Sequence, residues 1–67
     1  MTNPTIAKNL ARAYKSGWNA SGNPRWNYNM DAAEANWLRR GHTAEEHDSW
    51  IAGWSDYAAD YEYGHSA

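Results

Sequence analysis

The chain is 67 residues long, with eight acidic and six basic side chains giving a net charge of −2, three histidines and no cysteine. One small domain is the most it can build, disulfides are excluded, and scattered histidines without cysteine argue against a structural zinc site. Five Trp and five Tyr with no Phe concentrate its apolar surface in rings that keep a polar tip, which suits a small core that also touches a partner.

In chain order, Asn3 followed by Pro4 reads as an N-cap with proline at the first helical position, and Gly22-Asn23-Pro24 is a stop signal. A first helix is therefore predicted over 4–21. At 100° per residue Ile6, Leu10, Ala13, Tyr14 and Gly17 share its inner face, with Lys8, Arg12, Lys15 and Asn19 opposite. The connector 22–29 sets turn-forming residues around Trp26 and Tyr28, and Asn29 can cap a second helix with Asp31 and Glu34 in its first turn. That helix is predicted over 30–40, with Met30, Ala33 and Trp37 inward, Arg39 and Arg40 in its last turn and Gly41 at C′. Thr43-Ala44-Glu45-Glu46 matches a capping box and opens a third helix over 44–61. Within it Trp50, Trp54, Tyr57 and Tyr61 follow a 4, 3, 4 spacing that holds them on one face, flanked by His47, with Glu45, Asp48, Asp56 and Asp60 on the other.

The pattern predicts an all-α protein of three helices in a single domain spanning 1–67, with 64–67 as a frayed tail. Leu10, Tyr14, Gly17, Trp18, Trp37, Trp50, Gly53, Trp54, Tyr57 and Tyr61 are its expected core. Gly17-Trp18 and Gly53-Trp54 each place glycine beside a large ring inside a helix. The cost of such a glycine, about 1 kcal/mol relative to alanine, implies a compensating close approach of helices. The fragments SGWNASG and AGWSDYA look like echoes of one Gly-Trp unit, too short to establish a repeat. Gly53 is expected at the margin of the third helix's aromatic seam.

Charge is unevenly distributed. Residues 1–40 hold all six basic groups against Asp31 and Glu34, a balance of +4, and residues 41–67 hold six acids and no Lys or Arg, a balance of −6. No Ser or Thr lies in a nucleophile elbow, and His42 and His47 stand five apart, which fits neither the i,i+4 metal geometry nor an HExxH pattern. A non-enzymatic protein without metal or cofactor is expected. No apolar run reaches 18 residues, and MTNPTIAKNL lacks the basic and apolar regions of a signal peptide, so a cytoplasmic protein is expected, with no membrane contact.

Gly17-Trp18-x-Ala20-x-Gly22, then Pro24 with Trp26 and Tyr28, then Trp50-Ile51-Ala52-Gly53-Trp54, together resemble the ribosome modulation factor family over about 25 of the 67 residues. Members of that family are small helical proteins that bind the bacterial ribosome near the 3′ end of the small-subunit RNA and promote dimerisation into inactive particles. The resemblance implies a non-catalytic contact with ribosome or ribosomal RNA and a role in regulating translation. Two departures stand out: the inserted segment MDAAEANWLRR, and acids on the third helix where family members tend to carry arginine.

An acidic helix is repelled by phosphate, so an RNA surface must come from the N-terminal half. Lys8, Arg12 and Lys15 form a stripe on the first helix, Arg25, Trp26 and Tyr28 set a cation beside two rings able to stack unpaired bases, and Arg39 and Arg40 complete the basic set. A different reading is a small inhibitor or adaptor, of a kind a phage or mobile element encodes, that docks aromatic anchors on a host protein complex. Homodimerisation has a physical motive too, because the core is small for its aromatic load.

Overall fold

A computed structural model of the chain describes residues 4–64, with side-chain surroundings for 5–61. The Asn3 cap and the tail beyond Gly64 lie outside the described residues. There are three helices among them and no strand: α1 Pro4–Ser21, α2 Met30–Leu38 and α3 Ala44–Gly64.

The caps explain the boundaries. Asn29 Oδ1 accepts from the Ala32 amide at 3.1 Å at the start of α2, one of the orphan donors of a helix N-terminus. At α3 the reciprocal capping box is complete: Glu46 N donates to Thr43 Oγ1 at 3.1 Å and Thr43 N to Glu46 Oε1 at 2.7 Å. α2 is shorter than 30–40. It ends at Leu38, because Arg40 N and Gly41 N turn back onto Trp37 O and Leu38 O, and Gly41 adopts φ +79°, a conformation that favours glycine. Arg39 and Arg40 therefore follow the helix as its C-cap and closing turn instead of sitting in its last turn. α3 runs past 61, as far as Gly64.

α1 and α3 lie side by side and run in the same direction. Ile6, Asn9 and Leu10 share a groove with Thr43, Glu45 and Glu46 at one end, and Trp18 meets Tyr57 edge-on at 5.2 Å at the other. α2 is the return leg. The two helices touch backbone to backbone where they cross. A Cβ on Gly17 would fall 1.9 Å from Trp50 O and 3.0 Å from Trp54 N, and one on Gly53 would fall 2.0 Å from Tyr14 O and 3.0 Å from Trp18 N. Only glycine fits at either place. The Cα–H that replaces each Cβ faces a carbonyl across the interface, a weak hydrogen bond recurrent in close helix pairs. Gly53 is thus at the centre of the seam and not at its margin.

These reciprocal contacts make Tyr14-x-x-Gly17-Trp18 and Trp50-x-x-Gly53-Trp54 equivalent, related by an approximate two-fold axis along the pair. The two Gly-Trp echoes are the two halves of one contact. α1 offers the small residues Ala13, Gly17 and Ser21 at four-residue spacing, all buried, so the backbone of α3 can come close.

α2 covers one side of the pair only. Ala33, 2% exposed, seats it, and Trp37 continues a ladder of rings: His42 stacks on Trp37 at 3.7 Å, Trp37 on Trp50 at 5.7 Å and Trp50 on Trp54 at 5.5 Å. Trp50 is 1% and Trp54 7% exposed, and with Ala13 and Ala33 they form the core, against which Ala20, Trp26, Met30, Trp37 and Ile51 pack. A bond from His47 Nε2 to Glu34 Oε2 at 2.7 Å ties α3 to α2.

Several expected core positions lie elsewhere. Tyr14 is 36% and Tyr61 47% exposed, Ile6 is 45% exposed, and Leu10 is half-buried beside the α3 cap. The reason is the placement of α2: Tyr14 lies on the side of the pair it leaves open, while Ile6 and Tyr61 lie near the two ends, where no helix crosses. Trp18, Trp37 and Tyr57 are half-buried.

Candidate functional site

Lys8, Arg12 and Lys15 project from the outer face of α1 and are exposed, as are Arg25, Arg39 and Arg40. Arg12 borders a groove with Trp37 and His42, and Arg39 and Arg40 lie in the turn between those two residues. Among the described residues the only ion pairs are those of His42 with Glu46 and His47 with Glu34. Among the described residues no Lys or Arg is paired with a carboxylate.

The connector is more ordered than its composition suggests. Asn23 Oδ1 accepts from Arg25 N at 3.0 Å, and turns close from Trp26 N to Asn23 O, Asn27 N to Pro24 O and Asn29 N to Trp26 O. Asn27 and Tyr28 take φ of +46° and +64°, which for a bulky tyrosine is a strained conformation. The strain displays the ring: Tyr28 is 63% exposed and lies 6.4 Å from the ring of Tyr61. The charge that would develop beside Tyr61 holds the Tyr28 phenol above its ordinary value, assisted by desolvation and a hydrogen bond. Trp26 differs from expectation. It is half-buried against the core, with the Arg25 guanidinium 4.8 Å from its ring centre, a cation–π pair. The connector thus displays Arg25 and Tyr28, while Trp26 anchors it.

A second surface was not legible in the sequence. Tyr14, Trp18, Asp56, Ala59 and Asp60 line an open groove along the side of α1 and α3 away from α2. The Tyr14 hydroxyl donates to Asp56 Oδ2. That bond, with desolvation and the carboxylate charge, raises the Tyr14 phenol above its ordinary value. The spacing of acids on α3 was readable, but that they border rings of α1 follows only from the parallel pairing.

Among the described residues no group of three His, Cys, Asp or Glu side chains is placed to hold a metal ion, and no helix is long and apolar enough to cross a membrane. His47 is half-buried, with its ring 6.4 Å from that of Trp37, and bonds to Glu34. No family model, curated protein or solved structure matches the chain.

Proposed function

We propose that this chain is a non-catalytic, cytoplasmic binding protein whose working surface is the basic side formed by Lys8, Arg12 and Lys15 on α1, continued by Arg39 and Arg40, with Arg25 and Tyr28 displayed by the connector. The carrying observation is that all six basic side chains are exposed and, among the described residues, none is paired with a carboxylate, although the chain has eight acids. Cations held apart from the chain's own acids are available to a polyanion, whose released counterions drive binding. The resemblance to the ribosome modulation factor family makes ribosomal RNA the first target to test and modulation of translation the corresponding role. The helix pair supports this reading, because the two segments that carry the resemblance are those that meet at Gly17 and Gly53.

Co-sedimentation with bacterial ribosomes over a series of salt concentrations is the test. Binding should weaken steeply as salt rises, and replacing Lys8, Arg12 and Lys15 together by Ala should lower the log–log salt slope by about 2 to 3, one increment of about 0.7 to 0.9 for each lost phosphate contact. Failure to sediment with ribosomes at low salt overturns the reading.

One observation favours a second reading, a protein-directed inhibitor or adaptor of phage or mobile-element type. The Trp26 ring is engaged by the core and by Arg25, which removes one of the two rings a single-stranded RNA would stack on. A stoichiometric protein partner retained after ribonuclease treatment distinguishes it.

A further inference from the structure

A groove between α1 and α2 has a lining unlike that of the basic side. Ser16 and Asn19 border it from α1, Asn23 and Trp26 from the connector, and Asn36 and Trp37 from α2. Its floor includes the buried Ala33 and Trp50. At about 260 Å³ it is just smaller than the sites of drug-sized ligands, which begin near about 300 Å³, and so suits a single ring system. None of the residues that line it is ionisable, yet its polar groups are unspent. Asn23 Oδ1 accepts from Arg25 N, which leaves its NH2 group available. Among the described residues no hydrogen bond engages the side-chain amides of Asn19 and Asn36 or the Ser16 hydroxyl. Asparagine is a weak helix former because its side chain competes for backbone groups. Asn19 and Asn36, inside α1 and α2, carry that cost with no bond in return.

We propose that this groove takes one unpaired adenine of a nucleotide, read by the edge of the base. A lining without charge gives little to phosphate, carboxylate or ammonium, whereas amides that both donate and accept match the edge of a nucleobase. Among the bases, guanine is met by Arg or Lys and cytosine by a carboxylate, and the bidentate partner of adenine is an amide such as that of Asn. Stacking is not the mode, because Trp37 is already stacked with His42 and Trp50 and Arg25 lies over Trp26. Two cations beside the groove select a nucleotide over other neutral ligands. Arg12 borders the adjoining groove, which shares Ser16 and Trp37 with this one, and Arg25 lies at the connector end, its guanidinium 4.8 Å from the centre of the Trp26 ring. Both are exposed, and among the described residues neither is paired with a carboxylate. The carboxylate on the Arg12 side, Glu46, accepts from Thr43 N in the α3 cap. A neutral slot between unpaired cations matches a neutral base joined to anionic phosphate. The inference rests on the polyanion reading above and adds to it the place that holds a base.

Titration with a short oligoadenylate, with adenosine 5′-monophosphate and with inorganic polyphosphate at low salt, followed by NMR, tests it. Oligoadenylate should shift the side-chain amide signals of Asn19, Asn23 and Asn36 and the indole N–H signals of Trp26 and Trp37. Polyphosphate, which has no base, should leave those amides unmoved. Asn19→Ala and Asn36→Ala, which favour their helices, should each weaken oligoadenylate binding by about fivefold or more, the lower end for one bidentate pair, and leave polyphosphate binding unchanged. The monophosphate bound as tightly as the oligomer assigns the site to a free nucleotide, and weaker binding assigns it to an RNA strand; either result upholds the groove. Oligoadenylate binding indifferent to both variants, or no shift of the amide signals, overturns the proposal, and the basic surface still stands if ribosomes sediment with the protein. Oligoadenylate binding that both variants weaken, without ribosome sedimentation, upholds the groove and overturns the ribosome as the target.

Discussion

Replacing Gly17 by Ala tests the backbone contact between α1 and α3 directly. In an isolated helix the change stabilises by about 1 kcal/mol. Here the new methyl would meet Trp50 O at 1.9 Å and Trp50 C at 2.8 Å, both backbone atoms, whereas real Cβ contacts essentially never fall under 3.0 Å. The helices must open by at least 3.0 − 1.9 = 1.1 Å. That opening thins the packing around Trp50 and Trp54, which are two of the four core residues. Overpacking of this kind costs about 1–3 kcal/mol and occasionally more, and a clash with backbone, which cannot rotate away, belongs at the upper end. After the propensity gain, a net loss of about 2 kcal/mol is expected, a large part of the roughly 3–10 kcal/mol available to a chain of this length. Thermal unfolding followed by circular dichroism should show Tm lower by about 8–16 °C. Gly53→Ala should behave alike. Since one opening relieves both clashes, the double variant should cost much less than the sum of the two single ones. A Tm for Gly17→Ala equal to or above that of the parent, or strict additivity in the double variant, would refute the close crossing.

Ser21 is 2% exposed and its hydroxyl has no hydrogen-bond partner. Ser21→Ala keeps the small-residue spacing and removes a desolvated hydroxyl, so urea unfolding should show a gain of about 1 kcal/mol. Thr43→Ala breaks the α3 cap and should cost about 1 kcal/mol in the same assay. Glu46 carries the other half of that cap, and its hydrogen bonds from Thr43 hold its carboxyl below the ordinary value of 4.5. Its contribution is therefore present above pH 4.5 and lost as pH falls through the lowered folded value, so Glu46→Gln should flatten stability against pH in that acid range. The Tyr14 phenol titrates above its ordinary 10.0 mainly because its hydroxyl donates to Asp56. That stabilisation is intact below pH 10 and lost as pH rises through the raised folded value. Asp56→Asn should bring the Tyr14 midpoint, followed by ring carbon shifts in NMR, back toward the ordinary value, and an unmoved midpoint would show that the bond is not made in solution.

Helix starts were legible because capping is local: the Asn29 and Thr43 side chains bond amides only three residues away, so the pattern and the contact are nearly the same thing. The end of α2 was less so, since Arg39 and Arg40 are good helix formers and it was the turn into Gly41, at φ +79°, that stopped the helix early. Periodicity placed Trp50 and Trp54 on one face but could not say what would cover it. Tyr14 has the same spacing relative to Gly17 as Trp50 has to Gly53, yet only the second of those rings lies under α2. The side of the pair that a nine-residue helix chooses depends on contacts such as Ala33 and the Glu34–His47 bond, which are separated in sequence. The basic stripe was readable from α1 alone, whereas the groove of Tyr14, Trp18, Asp56 and Asp60 requires knowing that two distant helices run parallel.

That parallel pairing also governs how the chain reaches its fold. In an up-and-down helical hairpin the first core contact forms between neighbours across a short turn. Here the glycines that must meet are Gly17 and Gly53, and α2 cannot dock until the surface they create exists. Closing a loop of that length costs about 3 kcal/mol in chain entropy beyond the constant term, before any ring is buried. Folding should accordingly be slower than for a local three-helix bundle of the same size, with α1 and α3 meeting in the rate-limiting step. Substitutions at Gly17 and Gly53 should then slow refolding, while those at Ala33 and Trp37 should mainly hasten unfolding.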